Sequence, residues 1–251
     1  MEKIFFENSF GEKISGVLEM PKHADFCPLV VFCHGFGSNK DNPIMVETAS
    51  ILNNNGIATF RFDFSSQGAS GGDFSNATVS RQLDDLYSGF SKIMGFKKID
   101  YSSLGLFGAS LGGMTALLAA PKLHLKCLAV IAPVSDFKRV RWKTFFGKTV
   151  REWKENGFVA IGSRRLNYSF FEDGCSQDVY STAKSIRCPT LVVHGEKDSI
   201  VPLAQSKKLL GYLECEKRLE IIPEAGHSTL LPKQYRHLIA VTAKWLIVHL
   251  K

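Results

Sequence analysis

The sequence predicts an α/β fold, a mostly parallel eight-stranded sheet with helices on both faces. Three observations carry that expectation. Short runs rich in Val, Ile, Leu and Phe are bounded by Gly, Pro or Asp, as in strands buried on both sides. Amphipathic stretches lie between them, and such strand–helix alternation builds a doubly wound sheet. The 251 residues are 45% hydrophobic and 22% charged, the balance of a globule with a large core. A disordered, collagenous or coiled-coil chain is excluded. The longest apolar stretch, about Cys127 to Val134, is far shorter than the roughly 18–20 residues of a membrane span.

The elements follow in order. Lys3–Asn8 and Lys13–Met20 read as an opening pair of strands. Buried strands are expected at Leu29–Cys33, Ile57–Asp63, Leu104–Phe107, Cys127–Ala132, Thr190–His194 and Leu219–Ile222. Helical patterns occupy Pro43–Asn54, Val79–Met94, Leu111–Ala120, Leu203–Leu213 and Lys233–His249. More than fifty residues separate the strand ending at Ala132 from the one starting at Thr190, too many for a simple crossover. Residues 137–180 are therefore expected to form a helical cap insertion on a core made of 1–136 and 181–251. Within it Trp142, Phe145, Phe146, Val150 and Trp153 recur at spacings of three and four, one face of a helix.

Charge concentrates in that insertion. From Phe137 to Asn167 there are nine Lys/Arg (138, 139, 141, 143, 148, 151, 154, 164, 165) and two acids (152, 155). The difference, +7, equals the net charge of the whole chain, 31 basic minus 24 acidic residues. A nucleic-acid partner is not expected on charge alone. Two readings of the basic, Trp-bearing stretch compete: an interfacial helix on anionic lipid, or aromatic rings packed on the core with Lys/Arg in water. The second is favoured, because core-facing stripes are the commoner cause of such spacing. Six cysteines without a Cys-x-x-Cys pair suggest free thiols, and the opening residues lack the apolar segment of a signal peptide, so a cytoplasmic location is expected.

The chemistry centres on Gly108-Ala109-Ser110-Leu111-Gly112. This Gly-x-Ser-x-Gly follows a strand and opens a helix, the setting of a nucleophile elbow. A turn that tight demands small flanking residues and presents the Ser110 hydroxyl at the carboxyl end of the sheet, while the Leu111 amide sits at a helix N-terminus that favours negative charge. A hydroxyl is a weak nucleophile without a base, and the base needs an orienting acid. His227, in the late loop Glu224-Ala225-Gly226-His227-Ser228, is the first choice of base, with His34 and His194 as strand-end rivals. His23, His124, His237 and His249 read as surface or helix positions. Asp198, in the loop after a strand, is the first choice of acid, against Glu196 and Asp136.

The order Ser110, Asp198, His227, with His34-Gly35-Phe36-Gly37 after an early strand, resembles the α/β-hydrolase family over nearly the whole chain outside the insertion. The resemblance is to small intracellular carboxylesterases with a cap, including the cinnamoyl/feruloyl esterase type. It implies Ser110 as nucleophile, His227 as general base and then acid, Asp198 as its orienter, and the amides of Phe36 and Leu111 as the oxyanion hole. The Gly/Ser-rich stretch Arg61 to Gly72 resembles a loop that borders the site in this family. The expected activity is serine carboxylic-ester hydrolysis of a small-molecule substrate, needing no cofactor or metal. The same triad would serve a thioesterase or a serine peptidase, and the fold also occurs as a catalytically silent binding protein. Gly147-Lys148-Thr149 lacks the strand-to-helix context and the first glycine of a phosphate loop. Cys and His spacing offers no metal set, and the sequence leaves the oligomeric state open.

Overall fold

The computed structural model describes residues 1–22 and 26–251; His23 lies outside them. Strands β1 (Glu2–Glu7) and β2 (Lys13–Glu19) form the expected antiparallel pair. They are followed by β3 (Cys27–Cys33), α1 (Pro43–Asn54), β4 (Ala58–Phe62), α2 (Val79–Ile93), β5 (Ile99–Ala109), α3 (Leu111–Ala119) and β6 (Leu125–Ile131). Beyond β6 come α4 (Trp142–Phe146), α5 (Val150–Asn156), β7 (Phe158–Ile161), β8 (Arg164–Asn167), α6 (Ser169–Ser176) and α7 (Val179–Ala183). The chain then returns through β9 (Thr190–Gly195), α8 (Leu203–Tyr212), β10 (Lys217–Ile222) and α9 (Pro232–Leu250).

The main sheet has eight strands in the order β1-β2-β4-β3-β5-β6-β9-β10, and β2 alone runs against the rest. Alternation within the strands sorts the core into two faces. Val30, Phe32, Phe107, Ala129 and Val193 pack with Met45, Leu52, Leu238 and Leu246 of α1 and α9. Leu29, Val31, Leu106, Leu128 and Val192 pack with Leu86 of α2, Met114 of α3 and Leu209 of α8. Each Val, Leu, Phe or Met side chain among them contributes roughly 1.5–3 kcal/mol on burial. Local signals set the helix starts: the Asn42 side chain accepts from the Ile44 amide at 3.0 Å before Pro43-led α1, and Thr78 accepts from the Arg81 amide at 3.1 Å before α2. The parallel strands converge at their carboxyl ends, where β3 meets β5 and β5 opens into α3.

The stretch between β6 and β9 differs from expectation in two ways. The single aromatic helix face does not form. Gly147 adopts φ 72° and ends α4, and Thr149 starts α5 with a capping box to Glu152, so two short helices replace one. The segment is also not purely helical, because β7 and β8 make a hairpin around Gly162-Ser163, with Ile161 facing Arg164 and Gly162 at φ 58°. The aromatic spacing reflects a packed cluster. Trp142 stacks on Phe146 at 5.5 Å, Trp153 on Phe170 at 6.1 Å, and the two indole N–H groups donate to the carbonyls of Phe137 and Leu166. All nine Lys/Arg of the segment are exposed. Among the described residues no helix is long and apolar enough to cross a membrane.

Candidate active site

Ser110 occupies the junction of β5 and α3 with φ 53° and ψ −115°, a conformation that costs a residue with a Cβ of order 1–3 kcal/mol. Its neighbours hold it there. The Ser110 amide donates to the Ile131 carbonyl at 2.8 Å, and its carbonyl accepts from Met114 and Val134. Gly108 and Gly112 leave room for the turn. A Cβ on Gly108 would stand 2.4 Å from the Gly112 carbonyl oxygen, and one on Gly112 2.3 Å from those of Cys33 and His34.

His227 reaches this hydroxyl from the loop between β10 and α9. Its Nε2 lies 3.0 Å from Ser110 Oγ and its Nδ1 2.6 Å from Asp198 Oδ2. With Nδ1–H donating to the carboxylate, Nε2 presents its lone pair to the serine hydroxyl, the assignment that satisfies both bonds. Asp198 sits in the turn after β9. Its Oδ1 accepts from the amides of Ile200 (2.9 Å) and Val201 (2.8 Å). Burial acts to raise the Asp198 carboxyl, but hydrogen bonds from His194 and His227, with the nearby imidazole and the Ile200 amide, outweigh it and hold the group far below the usual carboxylate range.

The structure thus brings Ser110, His227 and Asp198 together and places the rivals elsewhere. Asp136 faces Arg139 at 3.5 Å, and Glu196 accepts from the Glu224 amide at 3.1 Å. His34 is buried, bonded through Nδ1 to the Gly35 carbonyl and through Nε2 to the Phe64 amide, and burial pushes it down to about 4. It ties β3's end to the loop after β4. His194 does more than shape a turn. Its Nε2 lies 2.9 Å from the Val201 carbonyl and 3.3 Å from Asp198 Oδ2, and its Nδ1 2.7 Å from Ser206 Oγ. Two acceptors at Nε2 put the proton there, so His194 braces the carboxylate from the side away from His227. His124 is exposed, while His237 and His249 pair with Glu220 and Glu216.

The oxyanion candidates also converge. Among the described residues neither the Phe36 nor the Leu111 amide meets an acceptor within the protein, and both residues line the same cavity as Ser110 and His227. That cavity measures about 370 Å³. Its walls come from Ile44, Met45 and Leu230 on one side and Val140, Trp142, Phe145 and Phe170 on the other. The Gly/Ser-rich 61–72 loop does not line the cavity but supports it from behind. Gln67 Oε1 accepts from the Gly37 amide at 2.7 Å, and buried Asp63 takes the Lys40 ammonium at 2.7 Å and the Ala69 amide at 2.8 Å. Gln67 had no sequence signal beyond its place in a turn-rich loop. Among the described residues no cluster of three or more His, Cys, Asp or Glu is arranged to hold a metal ion.

Fold and site together define an α/β hydrolase. The chain belongs to the prolyl oligopeptidase family, whose model it matches over residues 45–251. Its curated relatives include the mouse mitochondrial palmitoyl-protein thioesterase ABHD10, 27% identical with 88% of this chain and 75% of that one covered. An uncharacterised 31.7 kDa protein of the traX-finO intergenic region of Escherichia coli is 25% identical, covering 97% and 99%. Among solved structures, Est1E of Butyrivibrio proteoclasticus with bound ferulic acid superposes at a TM-score of 0.86, with 22% identity and 98% of each chain covered. Mouse alpha/beta hydrolase domain-containing protein 10 superposes at 0.79, with 22% identity and full coverage of both. At these identities the superpositions establish the fold.

Proposed function

We propose that this chain is a serine hydrolase that cleaves carboxylic esters of small molecules through an acyl-enzyme on Ser110. The observation that supports it is the unbroken hydrogen-bond chain Ser110–His227–Asp198, opening beneath two uncommitted amides into an apolar cavity. In this reading Ser110 Oγ attacks the ester carbonyl while His227 Nε2 takes its proton. The tetrahedral oxyanion rests on the Phe36 and Leu111 amides, each donor of this kind being worth about 10²–10³ in kcat. The imidazolium, steadied by Asp198, gives its proton to the leaving alcohol. Water then enters, loses a proton to His227 and releases the acid, and the serine recovers its hydrogen.

Residues 137–180 act in this account as a cap over the core formed by 1–136 and 181–251. At about 30 Å³ for each water-sized group, the cavity has room for about a dozen such groups, enough for a medium-length or aromatic acyl group. Thioester hydrolysis is the second reading, favoured by the thioesterase among the relatives. A peptide, whose backbone asks for several hydrogen bonds, fits the apolar walls less well. The six free thiols suit a reducing compartment such as the cytoplasm. The test is turnover of 4-nitrophenyl esters, acyl-thioesters and aminoacyl-naphthylamides by wild type and Ser110→Ala, with fluorophosphonate labelling of both. Loss of ester turnover and labelling in the variant is expected. A folded Ser110→Ala protein with near-wild-type turnover would refute the assignment.

A further inference from the structure

We propose that the substrate carries its apolar acyl group on an anionic leaving group, which the rim of the 137–180 segment receives; the proposal rests on the ester-hydrolase reading above. Two observations meet at the cavity mouth. Inside, apart from His227, no lining side chain among the described residues is ionisable in the neutral range, so nothing there pairs with a charged acyl group. At the rim, Val140, Trp142 and Phe145 face the cavity, while Arg141 and Lys143, interleaved with them, are exposed.

Neither cation is tied up in an ion pair, although Lys143 lies near enough to Glu152 to help lower that carboxyl. Among the described residues neither has a carboxylate within salt-bridge distance, whereas Arg139 is taken by Asp136, Lys40 by Asp63 and Lys197 by Glu224. Arg141 is held at the mouth by its own backbone, whose amide donates to the carbonyl of cavity-lining Ile200 at 2.9 Å. On the side of α9, the hydroxyl of cavity-lining Tyr235 donates to the Glu47 carboxylate at 2.9 Å, so an acid stands at that wall. An ester seated with its carbonyl under the Phe36 and Leu111 amides and its acyl group against the apolar walls therefore leaves its alcohol portion near a one-sided positive edge. Exposed charges act over about 8 Å at physiological salt, and clefts edged by one sign raise on-rates by about 10- to 10³-fold at low salt.

The experiment compares 4-nitrophenyl octanoate with 4-octanoyloxy-3-nitrobenzenesulfonate, which share the acyl group and differ in leaving-group charge. In wild type the sulfonate-to-neutral ratio of kcat/KM is expected to fall as NaCl is raised. In Arg141→Gln/Lys143→Gln at low salt the ratio is expected to fall roughly 5- to 10-fold. Lys244→Gln, on the distant part of α9, serves as a control for the loss of a remote cation, with an unaltered ratio expected. Octanoyl-coenzyme A and octanoyl-glycerophosphate, assayed alongside, separate a nucleotide carrier from a lipid one. A ratio that ignores both salt and the double substitution overturns the proposal while leaving ester hydrolysis intact. Failure of wild type to cleave either ester overturns both readings.

Discussion

A single methyl group added at Gly112 tests the site at its tightest point. Its Cβ would lie 2.3 Å from the carbonyl oxygens of both Cys33 and His34, where ordinary contact begins at 3.4 Å. The clash is with backbone, so no side chain can swing away; α3 and the end of β3 must separate by about 3.4 − 2.3 = 1.1 Å. That seam divides the two amides proposed as oxyanion donors. Leu111 precedes Gly112 on α3, and Phe36 follows His34 by two residues. A displacement near 1 Å can cost about 10² in rate, and removing one donor about 10²–10³. Gly112→Ala is therefore expected to lower kcat on 4-nitrophenyl octanoate by about 10²–10³ while changing KM much less. Steady-state kinetics read this, with circular-dichroism melting to show that the fold survives. Gly211→Ala, in α8 with no atom within 4 Å of the added Cβ, is the control and should be neutral or stabilising by up to about 1 kcal/mol. A folded Gly112→Ala enzyme with kcat within about threefold of wild type would refute the reasoning.

Two further substitutions probe the carboxylates. In Asp198→Asn the amide oxygen is expected to keep the Ile200 and Val201 amides, turning its NH₂ toward His227 Nδ1 and favouring the wrong tautomer; kcat should fall by about 10⁴, read by stopped assays at high enzyme concentration. A variant still at wild-type kcat would mean that Asp198 does not orient the imidazole. Asp85, fully buried with its oxygens on the Asn8 side chain and the Ser65 amide, is pushed up to about 6 by burial. The folded state thus holds its proton longer than the unfolded chain, so this group's contribution is fully present below about pH 4 and is lost as pH rises through 6. The stability difference between Asp85→Asn and wild type, from urea unfolding, should shift by roughly 2 kcal/mol in the variant's favour from pH 4 to 7.5. A shift of the opposite sign would sink this account. Asp198, whose depressed carboxyl acts in the other direction, is common to both proteins and cancels.

The parts legible in the sequence are those where local and long-range demands agree. Strands such as Leu29–Cys33 are apolar because both faces are covered, and the Gly108–Gly112 motif is readable because the turn admits little else. His227 and Asp198 were legible through the order of motifs, each lying in a loop after a strand at the same sheet edge. The aromatic segment was misread for a physical reason. Trp142, Phe146 and Trp153 do share one cluster, but Gly147 and the Thr149 cap divide the chain that presents them, so spacing alone mimicked a continuous helix. The hairpin at Gly162-Ser163 escaped because its flanking strands are four residues each, with only Val159 and Leu166 fully covered. The start of β5 at Ile99 was hidden by the polar run Asp100 to Ser103, across which the pairing with β3 shifts register between Ile99 and Leu104. The brace from His194 to Asp198 depends on a side chain folding back across its own turn, which no periodicity encodes.

Phe36 belongs to two assemblies at once. Its main chain supplies an uncommitted amide beside Ser110, and its ring contacts Phe145, Phe146 and Phe170 with centroids 5.1–5.9 Å away. Apart from Arg141 and Lys143, the outer Lys and Arg of the segment can drift in number and identity at little cost, being solvated. The three rings cannot, because a change in their shape is passed to the amide proposed to hold the oxyanion. Mutational tolerance should therefore be split residue by residue inside one stretch of chain, permissive on its wet side and strict on the side that steadies the chemistry.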